Sequence, residues 1–335
     1  MKLSVVMIWS PPYALHTAMS GGLIRASANL AEELGAHLCY VRAPDEKMKP
    51  ARHYDPRYAI VTLDELLSRH DDFWIFTSAG SFREKKEPTF LAYLVTRFDE
   101  MPPFAVWGHD EAEVGLPSAQ PLAAKARLRM AITLGTGPLV FGRDADIVYP
   151  AFAKLLSVPL RSHREPLICM TCRMTTRKTV VPFVREAAPA FLAAGWGVEI
   201  HGVESAWSYA LDAKRACEAV GARYCGPAQD LRPVHARARW LANLPFLKRG
   251  APFQRRLELV TIEAAAQGCG GVVLDETAPI GTPGVVRVPR NDLASTWSRV
   301  CDVDPHAMVE ALVASHNARW GASVAQLCRQ IEECA

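Results

Sequence analysis

The stretch "RRLELVTIEAAAQGCGGVVLD", residues 255–275, reads as a short alanine-rich helix that runs into a buried strand. The exit Gly268-Cys269-Gly270-Gly271 brings the helix close to the strand that follows. Two acids, Glu258 and Glu263, stand on the way in. A buried carboxylate is costly unless something pairs with it or donates to it. At 3.6 residues per turn the two positions lie roughly 140° apart, so they do not share a face. This spacing puts Glu258 at the helix mouth and Glu263 a turn deeper. A carboxylate accepts two hydroxyl hydrogen bonds well, which makes the diols of a ribose or hexose natural partners. Spacing leaves a second reading open: Glu258 as an acid favoured by the helix dipole, and Glu263 as a surface acid.

The same alternation of strand and helix continues in both directions. "PLICMTCR" (166–173), "GVEIHGV" (197–203), "ARYCG" (222–226), "ARWLANL" (238–244), "GGVVLD" (270–275) and "GVVRVP" (284–289) read as strands. Helical patterns lie at 179–194 and 207–220, and three helical stretches follow residue 291. An earlier series holds "LSVVMIW" (3–9), "HLCYV" (37–41), "AIVTL" (59–63), "DFWIFTS" (72–78), "PFAVWGHD" (103–110), "RMAIT" (129–133) and "DIVYP" (146–150). Helices at 21–34 and 87–101 separate some of these. Two such halves imply two doubly wound parallel sheets, α/β in class, joined through the basic, proline-bearing "SVPLRSHREP" (157–166).

Ligands of such sheets bind at the carboxyl ends of the strands. Residues just past strands therefore carry the chemistry. "CRMTTRK" places Arg173 and Lys178 at a strand end, with Arg177 between them. A diphosphate clamp and a solvated basic turn both fit that spacing. "SGG" (20–22) opens a helix as an anion-binding turn would, or as a plain glycine turn. His109 and Asp110 follow an apolar strand, either as site residues or as a loop hydrogen-bond pair. The long polar loop 42–57 holds Lys47, Lys49, Arg52 and Arg57. Arg237, Arg239, Lys248 and Arg249 add basic charge later in the chain. A solvated face and a nucleic-acid footprint both account for such runs.

Composition narrows the classes. The chain has 335 residues, half of them hydrophobic, enough for two cores. No run of 18 apolar residues suits a membrane helix, and the N-terminus lacks the pattern of a secretory signal. Nine scattered cysteines point to a reducing cytoplasm. The lone Cys169/Cys172 pair sits inside a strand and reads as core rather than zinc ligands. The net charge of +3 is compatible with a polyanionic partner without requiring one.

Four segments together resemble the retaining GT-B glycosyltransferases, and among them the T-even phage DNA α-glucosyltransferases. "FQRRLELVTIEAAAQGCGGVV" carries a Glu-x4-Glu spacing, "CRMTTRKT" resembles an Arg-Thr-Thr-Thr-x-Lys turn, "HGVESAWSYALDAKRACEAVGARYCG" resembles a Gly-x-Glu-Arg-Ser helix with its following strand, and "VWGHD" resembles a strand ending in His-Asp. The resemblance implies a GT-B fold, two Rossmann-like domains facing each other across a cleft. Residues 1–160 would bind the acceptor and 161–310 the UDP-sugar, and helices in 311–335 would pack back toward the first domain. Arg173 and Lys178 would hold the diphosphate, Glu263 the ribose, and Glu258 would lie near the donor sugar and β-phosphate. His109 and Asp110 would stand beside the anomeric carbon and the acceptor hydroxyl. Gly21 and Gly22 would line the acceptor side of the cleft, Gly22 within reach of the donor. Lys47, Lys49, Arg52, Arg57, Arg237, Arg239, Lys248 and Arg249 would contact DNA.

The implied reaction moves a sugar, glucose first, from its UDP donor to 5-hydroxymethylcytosine in duplex DNA, with retention and base flipping. It implies no bound cofactor, no metal, no membrane and a monomer. Two alternatives stand beside it. One is a GT-B enzyme acting on hydroxymethyluracil DNA or on an acceptor that is not nucleic acid. The other is a non-catalytic nucleic-acid-binding protein.

Overall fold

The computed structural model describes residues 1–8, 11–12, 22–43, 46–78, 93–109, 119–132, 136–149, 164–203, 207–228, 230–245 and 257–335, with the side chains of 22, 119, 136, 139, 173, 177, 203, 207 and 259 left out. The chain divides into two compact units, Met1–Ala153 with Arg319–Ala335, and Lys154–Ala318.

The first unit is built on a seven-stranded parallel sheet: β1 (Leu3–Met7), β2 (His37–Val41), β3 (Ala59–Val61), β4 (Phe73–Phe76), β5 (Phe104–Gly108), β6 (Leu128–Ala131) and β7 (Ile147–Val148), in the order β3-β2-β1-β4-β5-β6-β7. Strands such as "FWIF" and "FAVWG" are buried throughout, as strands covered on both faces must be. One face packs under α1 (Gly22–Leu34), whose Ile24, Leu30 and Ala31 are buried. The other carries α2 (Leu63–Leu67), α3 (Ala119–Lys125) and α4 (Thr136–Phe141), with Leu66, Leu122 and Phe141 in that core.

The second unit has six parallel strands: β8 (Glu165–Arg173), β9 (Gly197–Val203), β10 (Arg223–Gly226), β11 (Ala238–Asn243), β12 (Gly270–Leu274) and β13 (Val285–Val288), in the order β10-β9-β8-β11-β12-β13. Its helices are α5 (Val180–Glu186), α6 (Ala188–Ala193), α7 (Trp207–Val220), α8 (Arg232–Arg237), α9 (Leu259–Ala266) and α10 (Thr296–Val300). The last helix, α11 (Pro305–Cys334), begins in this unit, where Met308 packs on the core. Its far end buries Leu327 and Ile331 in the core of the first unit. Gly284, at φ +73°, lets α11 approach: a Cβ there would lie 2.1 Å from the Met308 carbonyl.

Four stretches differ from their sequence reading. The strand read at 59–63 ends at Val61, because Thr62 caps α2. Its hydroxyl accepts from the Glu65 amide at 3.2 Å, and the Glu65 carboxylate accepts from the Thr62 amide at 2.6 Å. The single helix read at 179–194 is two, because Pro189 has no N–H to offer the carbonyl of Arg185. The basic stretch at 232–240 contains α8, which buries Val234, His235 and Ala236. Of the helix read at 87–101, residues 93–96 are helical and Phe98–Glu100 form a 3-10 turn; 87–92 lie outside the described residues.

Among the described residues no helix is long and apolar enough to cross a membrane.

Candidate functional site

In the second sheet the chain runs outward from β8 to β9 and β10, then returns to place β11 on the opposite side of β8. Such a reversal opens a crevice at the carboxyl ends of the two central strands, where open α/β sheets bind ligands. Three segments converge there: the turn after β8, the end of β11, and the start of α9.

Lys178 closes a one-turn 3-10 helix, Thr176–Lys178, and its ammonium donates to the carboxylate of Glu258. The two residues are 80 positions apart, and their side chains are only 19% and 26% exposed. Glu258 occupies the N-cap position of α9, yet its side chain makes no capping hydrogen bond. Its carboxylate is turned to Lys178 instead. Glu258 thus stands at the helix terminus, as the helix-dipole reading has it, and also forms a partly buried ion pair with Lys178. An ammonium held this way at a strand end keeps a fixed position, and charge-assisted bonds of this kind are among the stronger polar contacts.

The floor of the crevice is fixed by buried polar contacts. Asn243, the last residue of β11, donates from Nδ2 to Thr261 Oγ1 on α9 at 2.9 Å, and both residues are buried. The glycines after α9 make the same packing possible: a Cβ on Gly271 would come within 2.7 Å of the Thr261 methyl. Asn243→Ala leaves the Thr261 hydroxyl without its partner. It should cost about 2 kcal/mol of stability by urea denaturation. A double-mutant cycle with Thr261→Ala should recover about 1 kcal/mol of coupling, and no coupling would show that the contact does not hold α9 in place. Beneath the ion pair, burial pushes the Cys172 thiol up to about 12, with Lys178 drawing it down and Glu258 pushing it further up.

Glu263 is half-buried on α9. The backbone of Arg173 ends β8 in register with Val203, and its side chain lies outside the described residues. In the first sheet the reversal lies between β1 and β4, but residues 9–10, 13–21 and 79–92 lie outside the described residues, Gly21 among them. Gly22 is the first residue of α1. His109 follows β5 and packs tilted against buried Trp107, ring centroids 4.3 Å apart and planes at 49°. Asp110, Lys248 and Arg249 lie outside the described residues.

The loop 42–57 is a folded structure over its described part. Tyr40 donates to Glu46 at 3.0 Å, and the Lys49 amide donates to the Tyr54 hydroxyl at 2.7 Å. Ala51–His53 form a 3-10 turn. This frame leaves Lys47, Lys49 and Arg52 exposed. Arg57 is engaged differently. Its guanidinium grips Asp55 at 3.0 and 2.6 Å. Burial pushes the Asp55 carboxyl up, but the Arg57 hydrogen bonds outweigh it and hold it below its usual range. Tyr54 is buried, so it is committed to the loop.

Arg237 and Arg239 do not join the crevice. They stand where α8 passes into β11, at the amino end of that strand. The six residues of β11 put them on the order of 15 Å from its carboxyl end. Arg237 pairs with Glu165 at 2.8 Å and with Glu199. Arg239 lies over the Trp196 ring at 5.4 Å. Sequence alone cannot separate these arginines from a footprint, because the basic run hides a helix-to-strand boundary.

Sequence reasoning also missed a buried polar network on β9. His201 and Glu199 meet at 3.0 Å, and Arg223 reaches Glu199 at 3.3 Å. Glu199, His201 and Cys225 are the one trio among the described residues whose atoms converge as metal ligands would. Two guanidiniums already neutralise the Glu199 carboxylate, so the trio works as part of an ion network. Beside it, His235 is 1% exposed, its Nε2 3.1 Å from the Thr171 hydroxyl. Burial, aided by the charge of His201, pushes its pKa down to about 4.

No protein-family model matches the chain, and no curated protein matches it by sequence. Solved structures do match its fold. An α-glucosyltransferase in complex with UDP and a 13-mer DNA containing an A:G mismatch is similar at TM-score 0.64 and 15% identity, over 97% of this chain and 95% of that one. AviGT4, a glycosyltransferase involved in avilamycin A biosynthesis, is similar at 0.59 and 16%, over 99% and 98%. HepE of Anabaena, in complex with UDP and glucose, is similar at 0.61 and 11%, over 99% and 99%. With two parallel sheets and interleaved helices, the chain has the two-domain α/β fold of the GT-B glycosyltransferases.

Proposed function

We propose that this chain transfers a sugar from a UDP-sugar to a hydroxymethylated pyrimidine of duplex DNA, with 5-hydroxymethylcytosine as acceptor and UDP-glucose as donor. The observation that supports it most is the Lys178–Glu258 pair at the reversal of the second sheet. Two motifs read independently from the sequence meet there, at the place where a parallel sheet receives a nucleotide. The solved structures of like fold that hold UDP or UDP-glucose, and in two cases DNA, support the same reading.

In this reading the diphosphate enters beside Lys178 and Arg173, and Glu263 accepts the ribose hydroxyls. When the bond from the anomeric carbon to the β-phosphate oxygen breaks, negative charge gathers on the phosphate. The two cations stabilise it in a site that was charged and oriented beforehand. Glu258, relieved of Lys178, faces the donor sugar. The acceptor oxygen bonds to the anomeric carbon on the face the phosphate leaves, which keeps the α configuration. Its proton passes to the departing phosphate, or to Asp110 as the alternative base, with His109 beside it. The acceptor base leaves the duplex, because a stacked hydroxymethyl group cannot reach such a crevice.

The exposed Lys47, Lys49 and Arg52, with Lys248 and Arg249, are the proposed phosphate contacts. Replacing the first three together by alanine should flatten the slope of log affinity against log salt by up to about 2.7, at about 0.9 per lost contact. Donor hydrolysis without DNA should be unchanged. A slope that does not move would take the loop out of the interface.

The likeness to AviGT4 favours a second reading, in which the acceptor is not nucleic acid. One experiment separates them. The protein is incubated with 5-hydroxymethylcytosine DNA, hydroxymethyluracil DNA and plain DNA against a panel of UDP-sugars, and the digested nucleosides are weighed. Sugar on a hydroxymethyl base supports the DNA reading. Donor turnover with no nucleoside gaining mass in any DNA supports the other.

A further inference from the structure

We infer that Thr179 is a positioning residue: it sets Lys178 against Glu258 by tying the turn after β8 to the end of β11. This rests on the donor-site reading above. Thr179 is one of only two non-glycine residues at positive φ among the described residues, at φ 49° and ψ 26°. The left-handed region crowds a β-branched side chain, so a threonine persists there only where its surroundings over-determine it. Backbone outliers of that kind cluster at working sites, and the contacts around Thr179 say what this one does.

The residue is 5% exposed. Its hydroxyl reaches two carbonyl oxygens, that of Lys178 at 2.9 Å and that of Leu244 just past β11. Its own carbonyl accepts from the Phe183 amide at 3.0 Å, which fixes it to α5. Thr179 is therefore held from the helix on one side and from the neighbouring strand on the other. Lys178 is the next residue, and its main chain inherits that constraint. The Lys178 ammonium then points at Glu258 from a backbone with little freedom. A serine in this place keeps the hydroxyl. A glycine relieves the backbone and loses the tie. A valine keeps the shape and loses the tie.

The readout is the side-chain ammonium signal of Lys178 in protein labelled with [15N]lysine, assigned by its loss in Lys178→Arg. In the wild type the pair with Glu258 should slow its proton exchange enough to give a resolved signal. Thr179→Ser should keep that signal. Thr179→Gly should broaden it beyond detection while the melting temperature stays within a few degrees of wild type, and Thr179→Val should do the same. UDP affinity by calorimetry should fall about tenfold in Thr179→Gly and stay within twofold in Thr179→Ser. An unchanged Lys178 signal in Thr179→Gly overturns the inference, as does loss of UDP affinity that follows thermal stability alone across the series. A wild type that binds no UDP overturns the donor reading instead, and the ammonium signal still decides the role of Thr179.

Discussion

Lys178→Ala should lower transfer from a UDP-sugar by about 100- to 1000-fold, the range seen when one preorganised donor to a developing oxyanion is removed. On the proposed reading the charge of Lys178 matters most when the anomeric bond is breaking, so kcat should fall more than UDP affinity. Removing it also leaves Glu258 partly buried without its partner, at 26% side-chain exposure. That adds repulsion toward the incoming diphosphate. Glu258→Gln is the informative companion. It removes the competitor for the Lys178 ammonium, so UDP should bind as tightly as in the wild type or more tightly, while transfer falls. Opposite signs in the two variants are hard to obtain from a pair that only holds the fold. Steady-state kinetics with UDP calorimetry measure both. Full transfer by Lys178→Ala, with unchanged UDP affinity, would remove the second-sheet crevice as the donor site.

The sequence made this pair legible only in halves. "CRMTTRK" and "LELVTIE" each show charged residues at an element boundary, and the rule for parallel sheets says that such boundaries face ligands. That the two boundaries adjoin depends on β11 lying next to β8, which is a matter of strand order. The elements with strong periodicity were read closely: β9 spans 197–203 and α7 spans 207–220, as their patterns indicate. What failed was local chemistry that competes with pattern. A capping box ended the strand at Val61, and Pro189 divided a helix. Thr179 had no signal at all, since a β-branched residue is the last one to expect in a left-handed conformation. Arg237 and Arg239 looked like Lys47 and Lys49 in sequence. Only the structure shows that the guanidiniums reach Glu199, Glu165 and Trp196 and that Lys47 and Lys49 are exposed.

Mild acid should destabilise the second unit through His235, and the sign follows from the direction of its shift. Its ordinary value of 6.5 is pushed down to about 4 by burial first and by the charge of His201 second, against a smaller opposing pull from Asp230. Between those values the unfolded chain holds a proton that the folded chain refuses. Unfolding is then favoured as pH falls. The full stability is present above about pH 6.5, is lost progressively below it, and the loss is complete near pH 4. The gap corresponds to about 3 kcal/mol at 1.36 kcal/mol per pH unit. Thr171, 3.1 Å from Nε2, offers a hydroxyl that can donate to a neutral ring or accept from a charged one, but it carries no negative charge to offset the proton in a buried site. Glu199 faces the same network, but its carboxyl is held below its ordinary value despite burial, by His201 and Arg237, so its own loss comes at lower pH. Urea denaturation from pH 7 to 4.5 measures the effect. Wild type should lose most of that ~3 kcal/mol across the interval. His235→Gln, which keeps a polar group and cannot take the proton, should lose markedly less over the same range, even if it starts from lower stability at pH 7. Parallel curves for the two proteins would mean that His235 takes up its proton in the folded state as readily as in water, and that the buried network around Thr171 opens to admit it.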